Sequence, residues 1–120
     1  MTRLHTMLAA AAFASLGVTA LPSGAHAQAF ISGTQLAKAC ASHTPADENA
    51  CNGYIAGSLD EVAVNTDLRA TICPPAGTKL SVMRMALAKY GAQNPADTKG
   101  SGIALVHAMI KATYPCPAAK

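Results

Sequence analysis

The sequence predicts an all-α protein: a small four-helix domain, stapled by disulfides, that follows a cleaved signal peptide. Three observations carry this. Apolar residues recur at helical spacing in four segments, no segment alternates apolar and polar residues as a half-buried strand would, and four cysteines follow an export-type leader. With no Trp and only 4% aromatic residues, the core has to come from Leu, Ile, Val, Met and Ala.

The leader is residues 1–27, MTRLHTMLAAAAFASLGVTALPSGAHA. It has a basic start at Arg3, a short apolar run, and Pro22 and Gly24 before the small-x-small ending Ala25-His26-Ala27. That order describes a signal peptide cut after Ala27, leaving residues 28–120 as one domain. The alternative, a retained membrane anchor, is disfavoured because the apolar run is short for a span and is broken by Gly17 and Pro22. A periplasmic or secreted protein with no membrane attachment after processing is expected. The formal net charge of +3 comes with no run of like charge, which gives nucleic acid and anionic membranes little to recognise.

Cys40, Cys51, Cys73 and Cys116 all lie in the mature part, and an even count in an oxidising compartment implies two bridges. Three connectivities are possible. Cys40 with Cys51 and Cys73 with Cys116 is favoured, because the first pair brackets a helix turn and the second ties the C-terminus to the middle of the chain. Chain entropy assigns about 2.8 kcal/mol to the shorter loop and about 4 kcal/mol to the longer. A zinc site is the competing reading, but no C-x-x-C spacing occurs, so no metal or other cofactor is expected.

The first helix is expected after Ser32 or Gly33, running TQLAKACA to about Ser42 with Leu36, Ala39 and Cys40 on one side. In TPAD, Thr44 can cap the second helix, Pro45 suits its first position and Asp47 completes a capping box. That helix should reach about Val64, with Cys51, Ile55, Ser58, Leu59 and Val62 inward. NTDLRATICPPAG breaks the periodicity and reads as a connection anchored by Cys73. The third helix, TKLSVMRMALAKY, buries Leu80, Met83, Leu87 and Tyr90, and Gly91 is placed to end it in a left-handed conformation. AQNPADTKGSG reads as a loop. A fourth helix, IALVHAMIKATY, then puts Ile103, Val106, His107, Ile110 and Tyr114 on one face before Pro115 stops it.

CNGYIAG at 51–57 poses a separate question, since each helical glycine costs about 1 kcal/mol relative to alanine. Gly53 and Gly57, one turn apart beside Tyr54, would repay that cost if another backbone lay in the groove they leave. The partner is expected within the chain, from the third or fourth helix, with the equivalent helix of a second subunit as the alternative.

The chain resembles the Tai-like (Rap/Tai) family of immunity proteins directed at type VI secretion amidase effectors. The matching stretches are SGTQLAKAC at 32–40, CNGYIAG at 51–57, ICPPAGTKL at 72–80, KYGAQNP at 89–95 and LVHAMIKATYPCP at 105–117. They cover Ser32 to Pro117 and include every cysteine, and their order and spacing carry the specificity. The resemblance implies a periplasmic homodimer that binds a peptidoglycan-cleaving amidase and occludes its active site by inserting a loop, without catalysis of its own. The matching loop is Ala92 to Gly102, and its polar groups Asn94, Asp97, Thr98, Lys99 and Ser101 are the partner-binding candidates. A merely solvated connector is the plain alternative for this loop. A small periplasmic disulfide-bonded chaperone or stress protein, or an inhibitor of another hydrolase, is the alternative for the whole protein.

Catalytic groups are sparse. His43 and His107 are the histidines left after processing, the cysteines are expected to be bridged, and adjacent Asp60 and Glu61 diverge by about 100° on a helix. His107 reads as a core histidine on the apolar face. Met83, Met85 and Met109 read as packing rather than a copper site.

Overall fold

The computed structural model describes residues 30–118; the leader and its cleavage site lie outside the described residues. Within them the chain forms α1 (Gly33–Ala41), α2 (Pro45–Val64), α3 (Thr66–Thr71), α4 (Leu80–Gln93) and α5 (Gly102–Thr113), with a 3₁₀ turn at Asp97–Lys99. The described residues form no strand, and the all-α, disulfide-stapled fold class stands. Four of the helices are those expected from periodicity. The fifth, α3, lies in the connection: Asn65 caps it by accepting hydrogen bonds from the Asp67 and Leu68 N–H groups at 3.0 and 3.2 Å, a signal too short to register as a periodic pattern.

Local capping explains where α1, α2, α3 and α5 begin, whereas α4 starts after Lys79 without a side-chain cap. Ser32 and Gln35 make a full reciprocal box at α1: the Gln35 N–H donates to Ser32 Oγ at 3.2 Å, and the Ser32 N–H donates to Gln35 Oε1 at 2.9 Å. At α2 only half of the expected box forms. The Asp47 N–H donates to Thr44 Oγ1 at 3.3 Å, but the Thr44 N–H turns to Ser42 Oγ, and Asp47 instead accepts from the Thr44 hydroxyl at 2.8 Å. An aspartate is one methylene shorter than the glutamate that closes such a box, so it reaches the hydroxyl and not the backbone.

The core is one cluster. Leu36 and Cys40 from α1, Cys51, Ile55 and Val62 from α2, Ile72 from the connection, and Met83 and Leu87 from α4 pack with Leu105, Val106, Met109 and Ile110 from α5. The α2 stripe is buried as expected except for half-buried Leu59, and α4 buries Met83 and Leu87 but leaves Leu80 and Tyr90 half-buried. The α5 face is rotated: Leu105 and Met109 are fully buried, whereas Ile103 and His107 are half-buried. That helix is apolar almost all round, so spacing alone could not choose its inward side.

The disulfides pair Cys40 with Cys51 and Cys73 with Cys116. The first joins α1 to α2 inside the core, and the second ties the segment after α3 to the tail after α5. A third clamp is Arg84 of α4. Its guanidinium donates to the Cys40 and Ser42 carbonyls at 3.2 and 3.3 Å and meets Glu48 of α2 at 2.9 Å, so one mostly buried side chain holds the end of α1 against two other helices. In PPAG, Gly77 takes φ +77°, the left-handed turn position that a side chain resists, and the Thr78 N–H closes the turn on the Pro75 carbonyl.

Two glycine readings are corrected. Gly91 does not end its helix, which runs on to Gln93; it is buried inside α4, where an added Cβ would stand 2.9 Å from that of Ala37, and so it lets α1 approach. Among the described residues nothing comes within 4 Å of a Cβ built at Gly53 or Gly57, so none of the described helices lies in the groove they leave. Both face outward because Cys51, Ile55, Ser58 and Val62 claim the inward side of α2. Tyr54, between them, does pack: its ring reaches Gly102 at the start of α5.

Candidate functional site

The segment expected to be a loop, Ala92 to Gly102, is mostly organised structure. Ala92 and Gln93 finish α4, residues 97–99 form the 3₁₀ turn, and Gly102 starts α5. The segment is sewn to the N-terminus of α1 by two backbone bonds, Gly33 N–H to Gly100 C=O at 2.8 Å and Gly102 N–H to Ile31 C=O at 2.9 Å. Between them Ser32 and Ser101 pair as an isolated antiparallel bridge. The Thr34 hydroxyl adds a bond to the Thr98 carbonyl at 3.0 Å. The seam closes this tightly because Gly33 lacks a side chain: an added Cβ would lie 2.7 Å from the Thr98 carbonyl oxygen.

Four of the five candidate side chains are engaged within the chain. Asn94 donates from Nδ2 to the Tyr90 carbonyl at 2.9 Å and finishes α4. Asp97 accepts from the Tyr90 hydroxyl at 2.6 Å, and this carboxylate, aided by partial burial, raises the phenol above its ordinary range. Thr98 donates to the Pro95 carbonyl at 2.8 Å, and Ser101 caps α5 by accepting from the Ala104 N–H at 3.3 Å. Lys99 is exposed, and no hydrogen bond or ion pair of its side chain is found among the described residues. The segment is thus held in shape by its own bonds, with the Lys99 side chain exposed.

Beside it an open groove of about 500 Å³ runs between α4 and α5, lined by Ala86, Lys89, Tyr90, Gln93 and Asn94 on one side and Ala112 and Thr113 on the other. Sequence reading missed this groove. Its only trace there is that Ala86, Lys89 and Gln93 recur at three- and four-residue spacing on the side of α4 away from Met83 and Leu87.

The other candidates are dispersed. His107 of α5 faces Glu61 of α2, with Nε2 and Oε2 3.5 Å apart. Burial pushes the imidazole below its ordinary value; Glu61 opposes that shift and Lys111 adds to it. Asp60 is exposed, away from this pair, and His43 is exposed after α1. Met83 and Met109 are buried as packing residues, but Met85 is 58% exposed. Among the described residues no three His, Cys, Asp or Glu side chains form a group that could hold a metal ion. No helix among them is long and apolar enough to cross a membrane.

The family model described as Rap1a immunity proteins matches residues 32–116, a span that holds both disulfides, the α1 seam and the groove. No curated protein and no solved structure matches the chain.

Proposed function

This chain belongs to the Rap1a immunity protein family, and from that premise we propose that it is a periplasmic immunity protein of the Tai-like branch that binds a type VI secreted peptidoglycan amidase and occludes its active site. Membership makes it a protein that binds a secreted effector. The amidase, the periplasm, the leader cut after Ala27 and the homodimer are the finer parts of the reading. The family and the two disulfides point to export.

The observation that carries the occlusion mechanism is the pinning of the 92–102 segment to α1 and α4. Recognition by a flexible loop pays ordering entropy on binding, about 0.5–1.5 kcal/mol for each immobilised side chain. Here the bonds to Ile31, Gly33, Thr34 and Tyr90 have ordered the segment before any partner arrives. It acts as a wedge whose shape excludes substrate, with Lys99 at its surface. The glycines of α2 leave a flat exposed strip, which suits the second subunit of a homodimer.

The internal bonds decide which variant tests the wedge. Replacing Asn94 or Asp97 would remove the bonds that shape it, so Lys99→Ala is the clean probe. Its stability should stay within about 0.5 kcal/mol of wild type. Its affinity for the effector encoded by the adjoining reading frame should fall in isothermal titration calorimetry. Unchanged affinity removes Lys99 from the interface, and a wild type that neither binds that effector nor protects cells expressing it rejects the immunity reading for that pair.

A further inference from the structure

The charges of this domain are segregated along the chain. Residues 45–71, which are α2 and α3, hold Asp47, Glu48, Asp60, Glu61 and Asp67 against a single cation, Arg69. Residues 72–118 hold Lys79, Arg84, Lys89, Lys99 and Lys111 against a single acid, Asp97. Arg84 of the second group is paired with Glu48, while Asp97 keeps its charge where it accepts from the Tyr90 hydroxyl. Four exposed lysines, Lys79, Lys89, Lys99 and Lys111, then stand against the single carboxylate of Asp97 on that stretch of chain, and Lys89 is the one that lines the groove.

The same part carries an exposed apolar stripe. Met83, Leu87 and Gly91 take α4 into the core, and on its outer side Val82 and Met85 remain 43% and 58% exposed. Ala86, Lys89 and Gln93 continue this outer face at helical spacing and enter the groove against Ala112 and Thr113 of α5. A small apolar strip therefore leads into a cleft lined by Lys89 and by Asn94 of the pinned 92–102 segment.

We propose that the outer face of α4 and the α4–α5 groove form the docking surface for the effector, receiving a segment with an apolar anchor flanked by carboxylates. This rests on the immunity reading above and extends it, placing the affinity beside the wedge instead of on it. Charge complementarity selects the occupant: Lys89 on the groove wall, in a stretch where lysines outnumber acids, attracts an acidic segment, and Met85 and Val82 offer it adaptable apolar contact.

The test is calorimetry of the mature protein with an active-site-inactivated form of the adjoining effector, at low and high salt. Lys89→Glu should weaken binding at least ~10-fold and flatten its salt dependence, through lost attraction and new repulsion. Met85→Gln should weaken it several-fold with little change in salt dependence. Arg69→Glu on α3, a matched charge reversal on the acidic part, should stay within about twofold of wild type. Melting temperatures verify that each variant folds. Binding that persists unchanged in both groove variants overturns the docking surface and leaves the immunity reading intact, whereas a wild type that does not bind removes both. Sedimentation of the same variants covers the remaining occupant: if they alter self-association but not effector affinity, the face belongs to a second copy and the proposal falls.

Discussion

Two sets of glycines divide this molecule. Gly53 and Gly57 sit one turn apart on α2 in a pattern that resembles a packing motif, yet a Cβ at either would meet nothing within 4 Å among the described residues. Gly33, Gly91 and Gly102 are scattered through the sequence without a pattern, yet each would bring a Cβ to within 3.0 Å of another part of the chain. They converge where α1, the end of α4 and the start of α5 meet the 92–102 segment. Close approach is a property of the places where elements cross, and crossings join residues far apart in sequence. Spacing along one helix shows which residues share a face and is silent on whether that face is covered.

The contrast can be broken most forcefully at the seam. In Gly33→Ala the new methyl group would meet the Thr98 backbone carbonyl at 2.7 Å, and a backbone cannot swing aside as a side-chain tip can. A loss of about 2–3 kcal/mol is expected, seen as a fall in melting temperature of roughly 4–8 °C per kcal/mol for a domain of this size. A variant as stable as wild type would show that the seam is loose, and the pre-ordered wedge would lose its basis.

Gly57→Ala tests the open side and should move stability the other way. With nothing near its Cβ among the described residues, the substitution keeps the helix and gains up to about 1 kcal/mol of propensity. Gly57→Leu should also leave the monomer folded. If it abolishes a dimer in size-exclusion chromatography without lowering monomer stability, the strip belongs to the subunit interface, and the glycines of α2 too serve close approach, between chains.

The smallest expected effect is a pH dependence confined to the seam. The Tyr90 phenol is raised because its proton is held by the Asp97 carboxylate. A folded value above the unfolded one means that the bond's contribution is fully present below pH 10, the ordinary phenol value, and is lost as pH rises through the folded value. Thermal melts from neutral to strongly alkaline pH should therefore show wild type losing an increment of stability that Tyr90→Phe never has. Parallel curves for the two proteins would show that the bond does not brace the segment.

Much of the fold is legible residue by residue. Thr44 and Pro45 mark the start of α2, the stripes of α2 and α4 name most of their buried faces, and the even cysteine count gives two bridges, whose pairing followed from which cysteines bracket a helix turn and which tie the tail to the middle. The failures have particular causes. α5 has apolar residues on nearly every side, so periodicity put Ile103 and His107 where Leu105 and Met109 belong. Gly91 after a tyrosine has the look of a helix stop, but its role depends on Ala37, a residue of another helix. The candidate site was read as a polar loop because Asn, Asp, Thr and Ser favour loops, and nothing local reveals that Asp97 bonds Tyr90 or that Ser101 lies beside Ser32.

What the sequence by itself determined here is whatever neighbours within a few residues decide: caps, helix type, the inward stripe of an amphipathic helix, and the placement of five acids before residue 70 and most cations after it. Those depend on interactions that span a turn or two. The tertiary structure alone decided the pinned 92–102 segment, the groove between α4 and α5, and which glycines carry a contact. Each is a relation between elements tens of residues apart, set by how the core closes, and hydrophobic burial drives that closure without direction, so only the assembled packing picks the residues that meet.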